Sequence, residues 1–376
     1  MVGLRPIARV LVGAALGVDL LAPEASARPW FAQKDGVRCS QCHVNGTGGG
    51  MRTGYGRQWS WTELSVVDPG GDPLDADEGG QSQRVWGAID PTLNDQIAVG
   101  ANLRGGYRAI LADETRNSFT QPEANVYVAL DALRVATAYV DVGVAEGAVE
   151  AREAFLMLHR LGGLRLKAGI ILLPYGLRFW DDRSFARTET GFTYADSDLG
   201  VEVGYELGGF GAFVAATNGT GGGLDDDEDK KLTGTVEYVH RWFRVGASGT
   251  LNRNARQEDL FGGMHLGLSL GRFFLLGQAD LLRSSFLEED VVLEGFVAHA
   301  EINALVLRGL NLKAVYGYHD PALSISDNDR VRLRAGFELY PVPMVAVSAF
   351  YDLRQSVPQD EVGNADVVEI ELHLYL

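Results

Sequence analysis

Apolar and polar side chains alternate with a period of two along most of this chain after residue 94. At the carboxyl end, every second residue from Val368 onward is apolar, whereas Glu369, Glu371 and His373 lie between them. Successive side chains of a β-strand point to opposite faces, so this pattern predicts strands with one apolar face.

About sixteen segments follow this pattern and are separated by turns rich in Gly, Asp, Asn and Pro. They span 95–111, 122–131, 133–144, 151–160, 164–173, 198–206, 210–217, 231–240, 242–252, 259–270, 272–282, 291–304, 308–318, 329–340, 343–354 and 366–376. Short connections such as 161–163 alternate with longer polar ones such as 218–230. This arrangement is typical of bacterial outer-membrane barrels, whose short turns face the periplasm.

The fold class that follows is all-β: a transmembrane antiparallel β-barrel of about 16 strands over residues 95–376, in contact with outer-membrane lipid. Both chain ends would then lie in the periplasm. The alternative is a secreted, soluble all-β protein, which would need a very large sandwich core.

The only two cysteines of the chain lie ahead of this region, and a histidine follows the second: Cys39, Cys42 and His43 form the pattern Cys-x-x-Cys-His. This is the attachment motif of a c-type haem, because the two thiols can each add to a porphyrin vinyl group while the imidazole reaches the iron. We predict one covalent haem c on Cys39 and Cys42, with His43 as the proximal iron ligand.

Two other uses of the motif require features that the sequence lacks. A structural zinc site needs about four Cys or His ligands, and only His43 lies near the pair. A thioredoxin-like dithiol needs a βαβ setting, whereas a glycine-rich run, Gly46–Gly50, follows here.

The sequence before the barrel divides into three parts. Residues 1–27 have a basic start, an apolar run and a small-residue cleavage site, which together predict a signal peptide too short to span a membrane as a helix. Residues 28–65 form the monohaem segment, with a short helix expected over 53–64. Residues 66–94 have turn formers and no period, and are predicted to be a linker.

The net charge of −17 argues against a nucleic-acid partner, since a polyanion would be repelled. The sequence contains neither a nucleophile elbow nor a phosphate-binding glycine loop that follows a strand. We therefore expect an electron carrier rather than a substrate-turnover enzyme, an iron:cytochrome oxidoreductase being the enzymatic alternative.

The order of signal peptide, haem motif, aromatic helix and barrel resembles the fused monohaem cytochrome-porins of the outer membrane of iron-oxidising bacteria. The resemblance is specific at Cys39, Cys42, His43 and the step Tyr55–Trp59, and the run Gly46–Gly50 departs from the Pro-containing turn expected there. It implies electron transfer between an extracellular donor, such as Fe(II), and periplasmic electron-carrier cytochromes.

The distal haem ligand has several candidates. Met51 is the nearest soft ligand, although the seven residues between it and His43 would have to pass round the porphyrin edge almost fully extended. His373 lies on the inward face near the periplasmic end of the last strand. A five-coordinate iron is the third alternative.

Two long loops also carry charge. The carboxylates Asp225, Asp226, Asp227, Glu228 and Asp229 could attract a hard cation or Fe(II), or simply keep an extracellular loop hydrophilic. The loop 174–197 is long enough either to fold into the lumen or to extend outward.

The sequence thus predicts an outer-membrane electron-transfer protein with its haem segment at the periplasmic side or within the barrel lumen. The alternative on the same fold is a diffusion porin whose haem segment is a plug or a redox sensor.

Overall fold

The computed structural model describes residues 28–67, 92–94, 96–112, 115–120, 123–132, 135–145, 148–181, 183–194, 196–222, 225, 228–358, 360 and 363–376. The predicted signal peptide and most of the predicted linker lie outside these residues.

The described residues form a closed antiparallel barrel in which sixteen strands each pair with the next and the last pairs with the first. The strands are β1 Thr92–Asn94, β2 Ile97–Leu111, β3 Arg116–Phe119, β4 Glu123–Ala132, β5 Ala136–Ala145, β6 Ala148–Leu161, β7 Leu164–Leu172, β8 Ser197–Leu207, β9 Phe210–Thr217, β10 Lys231–Val239, β11 Phe243–Arg253, β12 Gln257–Leu270, β13 Phe273–Phe286, β14 Val291–Leu307, β15 Leu310–Asp320, β16 Arg330–Leu339, β17 Val345–Gln355 and β18 Asp366–Tyr375. The sixteen are β2 and β4 to β18. The predicted barrel is confirmed.

Two short strands were not predicted. β1 pairs with β2 and falls within the expected linker, and β3 pairs with β2 inside an expected loop. They are three and four residues long, which is too short to show a period, and all four residues of β3 are exposed.

Alternation along each strand separates an apolar outer surface from a polar lumen. On β8, Leu199, Val201 and Val203 are exposed, whereas Glu202 and Glu206 are buried. A water-soluble fold places its apolar side chains inside, whereas here they lie outside. An apolar outer surface is what a barrel in lipid requires. No helix among the described residues is long and apolar enough to cross a membrane.

The N-terminal segment folds into short helices. They are α1 Pro29–Asp35, α2 Cys39–Cys42 and α3 Gly54–Trp59, and α3 continues as a π-helical turn, Ser60–Leu64. Proline begins α1, and Gly36 ends it at φ 68°, where a residue without Cβ is favoured. Thr53 caps α3 by accepting a hydrogen bond from the Gly56 amide at 3.1 Å.

This segment closes the end of the barrel that has the short turns. Trp30 is only 1% exposed and its ring packs on Phe274 of β13, with centroids 5.6 Å apart. The Arg38 guanidinium donates to the Phe210 carbonyl at 2.6 Å, and the Val66 amide donates to the Tyr340 carbonyl. The haem-motif segment is therefore a plug held inside the barrel mouth.

The described residues of the stretch 173–196, here called the lumenal loop, turn inward and include a helical turn, α4 Phe185–Thr188. The loop leaves β7 and reaches distant strands: Tyr175 donates to Asp280 of β13 at 2.8 Å, and Arg183 donates to Glu369 of β18 at 2.7 Å. Of the two alternatives for this loop, the structure shows the inward one.

Candidate functional site

The haem motif lies on α2, a single helical turn, and His43 follows it in extended conformation. Cys42 is completely buried in an apolar cluster with Ala32, Val37 and the partly buried Tyr55. Cys39 is partly exposed. One turn of helix thus carries both thiols, with the imidazole directly after it.

Burial raises the pKa of the Cys42 thiol, and it raises that of Cys39 despite the nearby Arg244 guanidinium. A reactive dithiol needs the opposite shift, because the thiolate is the reacting species. Among the described residues, no group of three or more Cys, His, Asp and Glu is arranged to hold a metal ion. Neither the dithiol nor the structural zinc reading fits this arrangement.

The glycine run after the motif forms a tight return. Gly48, Gly49 and Gly50 all have positive φ, at 92°, 89° and 63°. A Cβ on Gly48 would lie 3.2 Å from the Cys39 Cβ, so a side chain there would crowd the motif. The return brings Arg52 into a backbone bridge with His43. Glycine is therefore needed where a Pro-containing turn was expected.

This return is anchored to the barrel wall and to the lumenal loop. Asn45 donates to Glu153 at 2.7 Å and accepts from Lys167 at 3.1 Å. Arg178 of the lumenal loop donates to the Thr47 carbonyl at 3.2 Å. The return after the motif is thus fixed between the barrel wall and the lumenal loop.

His43 borders two cavities. The first, of about 580 Å³, is also bordered by Met51, Met157 and His159. The second, of about 70 Å³, is also bordered by His373. Both distal-ligand candidates from the sequence therefore share a cavity with the proximal candidate, although not the same cavity.

Met51 is 4% exposed and packs against Tyr127, Tyr139 and other side chains of the wall. The Val44 amide donates to the Met51 carbonyl at 3.1 Å, one step from the His43–Arg52 bridge. Side chains of adjacent residues in an antiparallel ladder point to opposite faces, so Met51 and His43 diverge from the same short ribbon.

His373 is 4% exposed, and neither ring nitrogen has a hydrogen-bond partner. Its ring stacks on Trp180 of the lumenal loop. A buried imidazole without hydrogen bonds retains a free electron pair for an iron ion.

Two features of the site were missed from the sequence. His159 of β6 accepts or donates a hydrogen bond with Thr137 at 2.8 Å and faces the larger cavity. Its inward position near a short turn, the same signal that singled out His373, could have found it. Arg52 is the second, and no sequence pattern marks it.

Arg52 lies with its guanidinium 4.0 Å from the ring centre of Tyr375 and borders the smaller cavity. Among the described residues no carboxylate pairs with it, and burial lowers its pKa. Arg28 and Arg104 border the same cavity, and Arg28 pairs with Glu338. Arg104 pairs with Glu123, and Asp141 also borders the cavity, so Arg52 is the arginine of this group that has no carboxylate partner among the described residues.

The predicted acidic loop is described only in part. Asp225 pairs with Lys230 at 2.7 Å, and Glu228 is exposed. Asp226 and Asp227 lie outside the described residues.

Comparison with known proteins adds the fold. No family model matches the chain, and no curated protein does. Among solved structures, outer-membrane-expressed OmpT of Vibrio cholerae superposes with a TM-score of 0.60 at 14% identity, covering 76% of this chain and 100% of that one. An anion-selective porin from Comamonas acidovorans superposes with a TM-score of 0.59 at 10% identity, covering 74% of this chain and 99% of that one. OmpF of Salmonella typhi in complex with daunomycin superposes with a TM-score of 0.58 at 13% identity, covering 76% of this chain and 99% of that one. The chain therefore shares the closed β-barrel fold of outer-membrane porins.

Proposed function

We propose that this chain is an outer-membrane electron-transfer protein that carries one covalent haem c within the barrel mouth. The observation that carries the proposal is the position of Cys39, Cys42 and His43 in the plug, directly before a return that is bonded to the barrel wall and to the lumenal loop. A redox group on this motif would lie inside the barrier rather than below it. Electrons would pass between an extracellular donor, Fe(II) being one candidate, and periplasmic cytochromes.

The donor set of the motif fits a haem c group, although Cys39 borders a separate cavity of about 30 Å³ and Cys42 is completely buried. The motif supplies two thiols on one helical turn and an imidazole at the wall of a cavity of about 580 Å³, a size within the range of small-molecule sites. Cys42 adds apolar neighbours for a porphyrin. Arg52 has no carboxylate partner among the described residues and would offer its charge to a propionate, because a partly buried cation is costly until it is paired.

When bound, haem c supplies a one-electron Fe(III)/Fe(II) couple, and the chain sets its environment. Cys39 and Cys42 would hold the group and His43 would ligate the iron. His373 and Met51 remain the candidates for a second iron ligand, and His159 is a further candidate. Arg52 would favour the electron-rich form, since nearby positive charge stabilises it, whereas the charges of Arg28 and Arg104 are balanced by Glu338 and Glu123.

A diffusion porin with a plug or redox sensor is the second candidate. The solved structures that share the fold favour it, because the one from Comamonas acidovorans is an anion-selective porin by name. Against free diffusion, the described plug and lumenal loop both occupy the lumen of this chain.

An experiment in lipid vesicles distinguishes the two candidate functions. The full chain, matured with haem, is reconstituted into liposomes that enclose an oxidised soluble cytochrome, and chelated Fe(II) that cannot cross lipid is added outside. We expect reduction inside that is lost in His43→Ala and kept in His240→Ala, a change in the turn between β10 and β11. If the vesicles pass small sugars while the cytochrome stays oxidised, the diffusion porin is the correct function.

A further inference from the structure

A third cavity, which the haem motif does not border, lies at the end of the barrel with the long loops. It has a volume of about 210 Å³ and is bordered by the lumenal loop, by β16 and β17 and by the connection between β17 and β18. Four guanidinium groups line it, those of Arg183, Arg330, Arg332 and Arg354.

The barrel register brings these positive charges together. Arg332 of β16 and Arg354 of β17 are direct cross-strand partners, and Arg330 lies two residues before Arg332 on the same face of β16. Like charges placed directly opposite in a ladder destabilise it. Arg108 adds a further cation from β2, where its backbone lies opposite that of Glu369 without an ion pair between the two side chains.

The nearby carboxylates already form ion pairs with arginine side chains. Asp352 contacts Arg332 at 3.0 Å, Arg334 at 3.1 Å and Arg354 at 3.7 Å. Glu369 contacts Arg183 at 2.7 Å and Arg334 at 2.9 Å, and Asp181 contacts Arg332 at 2.7 Å.

Two of the cations are left without such a partner. No carboxylate among the described residues forms an ion pair with Arg330 or with Arg108. Asp360, which borders the cavity, is occupied by hydrogen bonds from the Gly363 amide and the Ser356 hydroxyl. The cluster therefore keeps an excess of positive charge.

Hydrogen-bond donors of the cluster are also unused. The Nε atoms of Arg108, Arg330, Arg332 and Arg354 are buried and lack a hydrogen-bond partner. A buried donor without an acceptor costs free energy, so a ligand that brings oxygen acceptors would be stabilised here.

We infer that this cavity binds a small multivalent oxyanion, a polycarboxylate or a phosphate. Arginine presents a fork of donors that matches such oxygens in pairs, and the volume exceeds that of several waters. The same charge repels a free divalent cation. The site goes beyond the proposed electron transfer and requires no haem.

Calorimetric titration of the full-length protein in detergent micelles at low salt tests the inference, with citrate, inorganic phosphate and Mg²⁺ as separate probes. We expect saturable binding of citrate, phosphate or both, and none of Mg²⁺. Arg330→Gln and Arg354→Gln should each weaken it at least about tenfold, the effect of one charge-assisted hydrogen bond. Binding of only one anion would identify which of the two sources the site takes.

Arg256→Gln is the matched control, because Arg256 is 83% exposed and lies away from the cavity. It should leave the affinity unchanged. Arg330→Lys keeps the positive charge but loses the paired donors of the guanidinium, so it should bind the anion with intermediate affinity. This variant also tests the inference if a Gln variant fails to fold. The inference is overturned if neither anion binds saturably, if Arg256→Gln weakens binding equally, or if Mg²⁺ competes for the cavity.

Discussion

Trp180 of the lumenal loop stacks on His373 of the last strand, with ring centres 4.7 Å apart and planes inclined by 21°. Tyr375 packs on the same imidazole with centres 5.0 Å apart. His373 is thus held by aromatic contacts instead of hydrogen bonds, in a cavity that it shares with His43. The loop and the haem motif meet at this histidine.

If His373 is the distal ligand, His373→Ala in the haem-loaded protein should convert a low-spin absorption spectrum to a high-spin one and shift the reduction potential. Met51→Ala and His159→Ala are the matched variants, since each removes one other candidate at the cavities of His43. Optical and electron-paramagnetic spectra measure the change. A spectrum altered only by Met51→Ala or only by His159→Ala would assign the ligand to that residue instead.

Covalent attachment predicts that haem stays with the chain after denaturation. Wild-type protein made in a host with the haem-maturation system should give a haem-stained band on a denaturing gel, and Cys39→Ala with Cys42→Ala should abolish it. Ser40→Ala, within the same helical turn, is the control and should retain the stain. An unstained wild-type band would remove the basis of the electron-transfer proposal.

Trp30 should control how tightly the plug closes the barrel. Trp30→Ala removes a nearly fully buried indole from its contact with Phe274, which costs about 3–5 kcal/mol of packing free energy. We expect planar-bilayer conductance for small ions to rise as the plug loosens. Trp242→Ala removes an indole that is 54% exposed and should not change conductance. Equal conductance in all three proteins would show that the plug is held in some other way.

Asp181 should give the lumenal loop a defined dependence on pH. Burial by itself would raise the pKa of Asp181, but Arg332 and Arg334 together hold it well below its usual value of about 4. The stability that the ionised carboxylate contributes is therefore fully present above about pH 4 and is lost as the pH falls through the lowered pKa.

The matching variant is Asp181→Asn, which should lower the free energy of unfolding in urea by about 3 kcal/mol at pH 7. The difference from wild type should shrink only below about pH 4. Glu288→Gln breaks an exposed pair with Arg256 and should change stability by less than about 1 kcal/mol. A difference that disappeared already between pH 7 and pH 5 would contradict the lowered pKa.

The strands could be predicted because the alternation of exposed and buried side chains is visible within each strand's own sequence. Glu202 and Val203 are neighbours in sequence and lie on opposite surfaces of the barrel, so a period of two is visible without any knowledge of partners. β3 shows the limit of this signal, since its four exposed residues depend on pairing with β2 and leave no pattern of their own.

The residues of the candidate site likewise fall into those that the sequence marks and those that it does not. Cys39, Cys42 and His43 are recognisable because their chemistry depends on spacing within one helical turn. His159 and Arg52 were missed because their roles depend on neighbours far along the chain: Arg52 lies over Tyr375, and His159 faces the cavity of His43.

The sequence by itself determined the sixteen-stranded barrel, the alternation of its short turns with long loops, and the Cys-x-x-Cys-His spacing. Only the tertiary structure decided that the lumenal loop turns inward, that the plug enters the mouth, and that His43 and His373 border one cavity. The physical reason is range: strand alternation and motif spacing act between near neighbours, whereas the lumen is defined only once β18 pairs with β2 and closes the barrel.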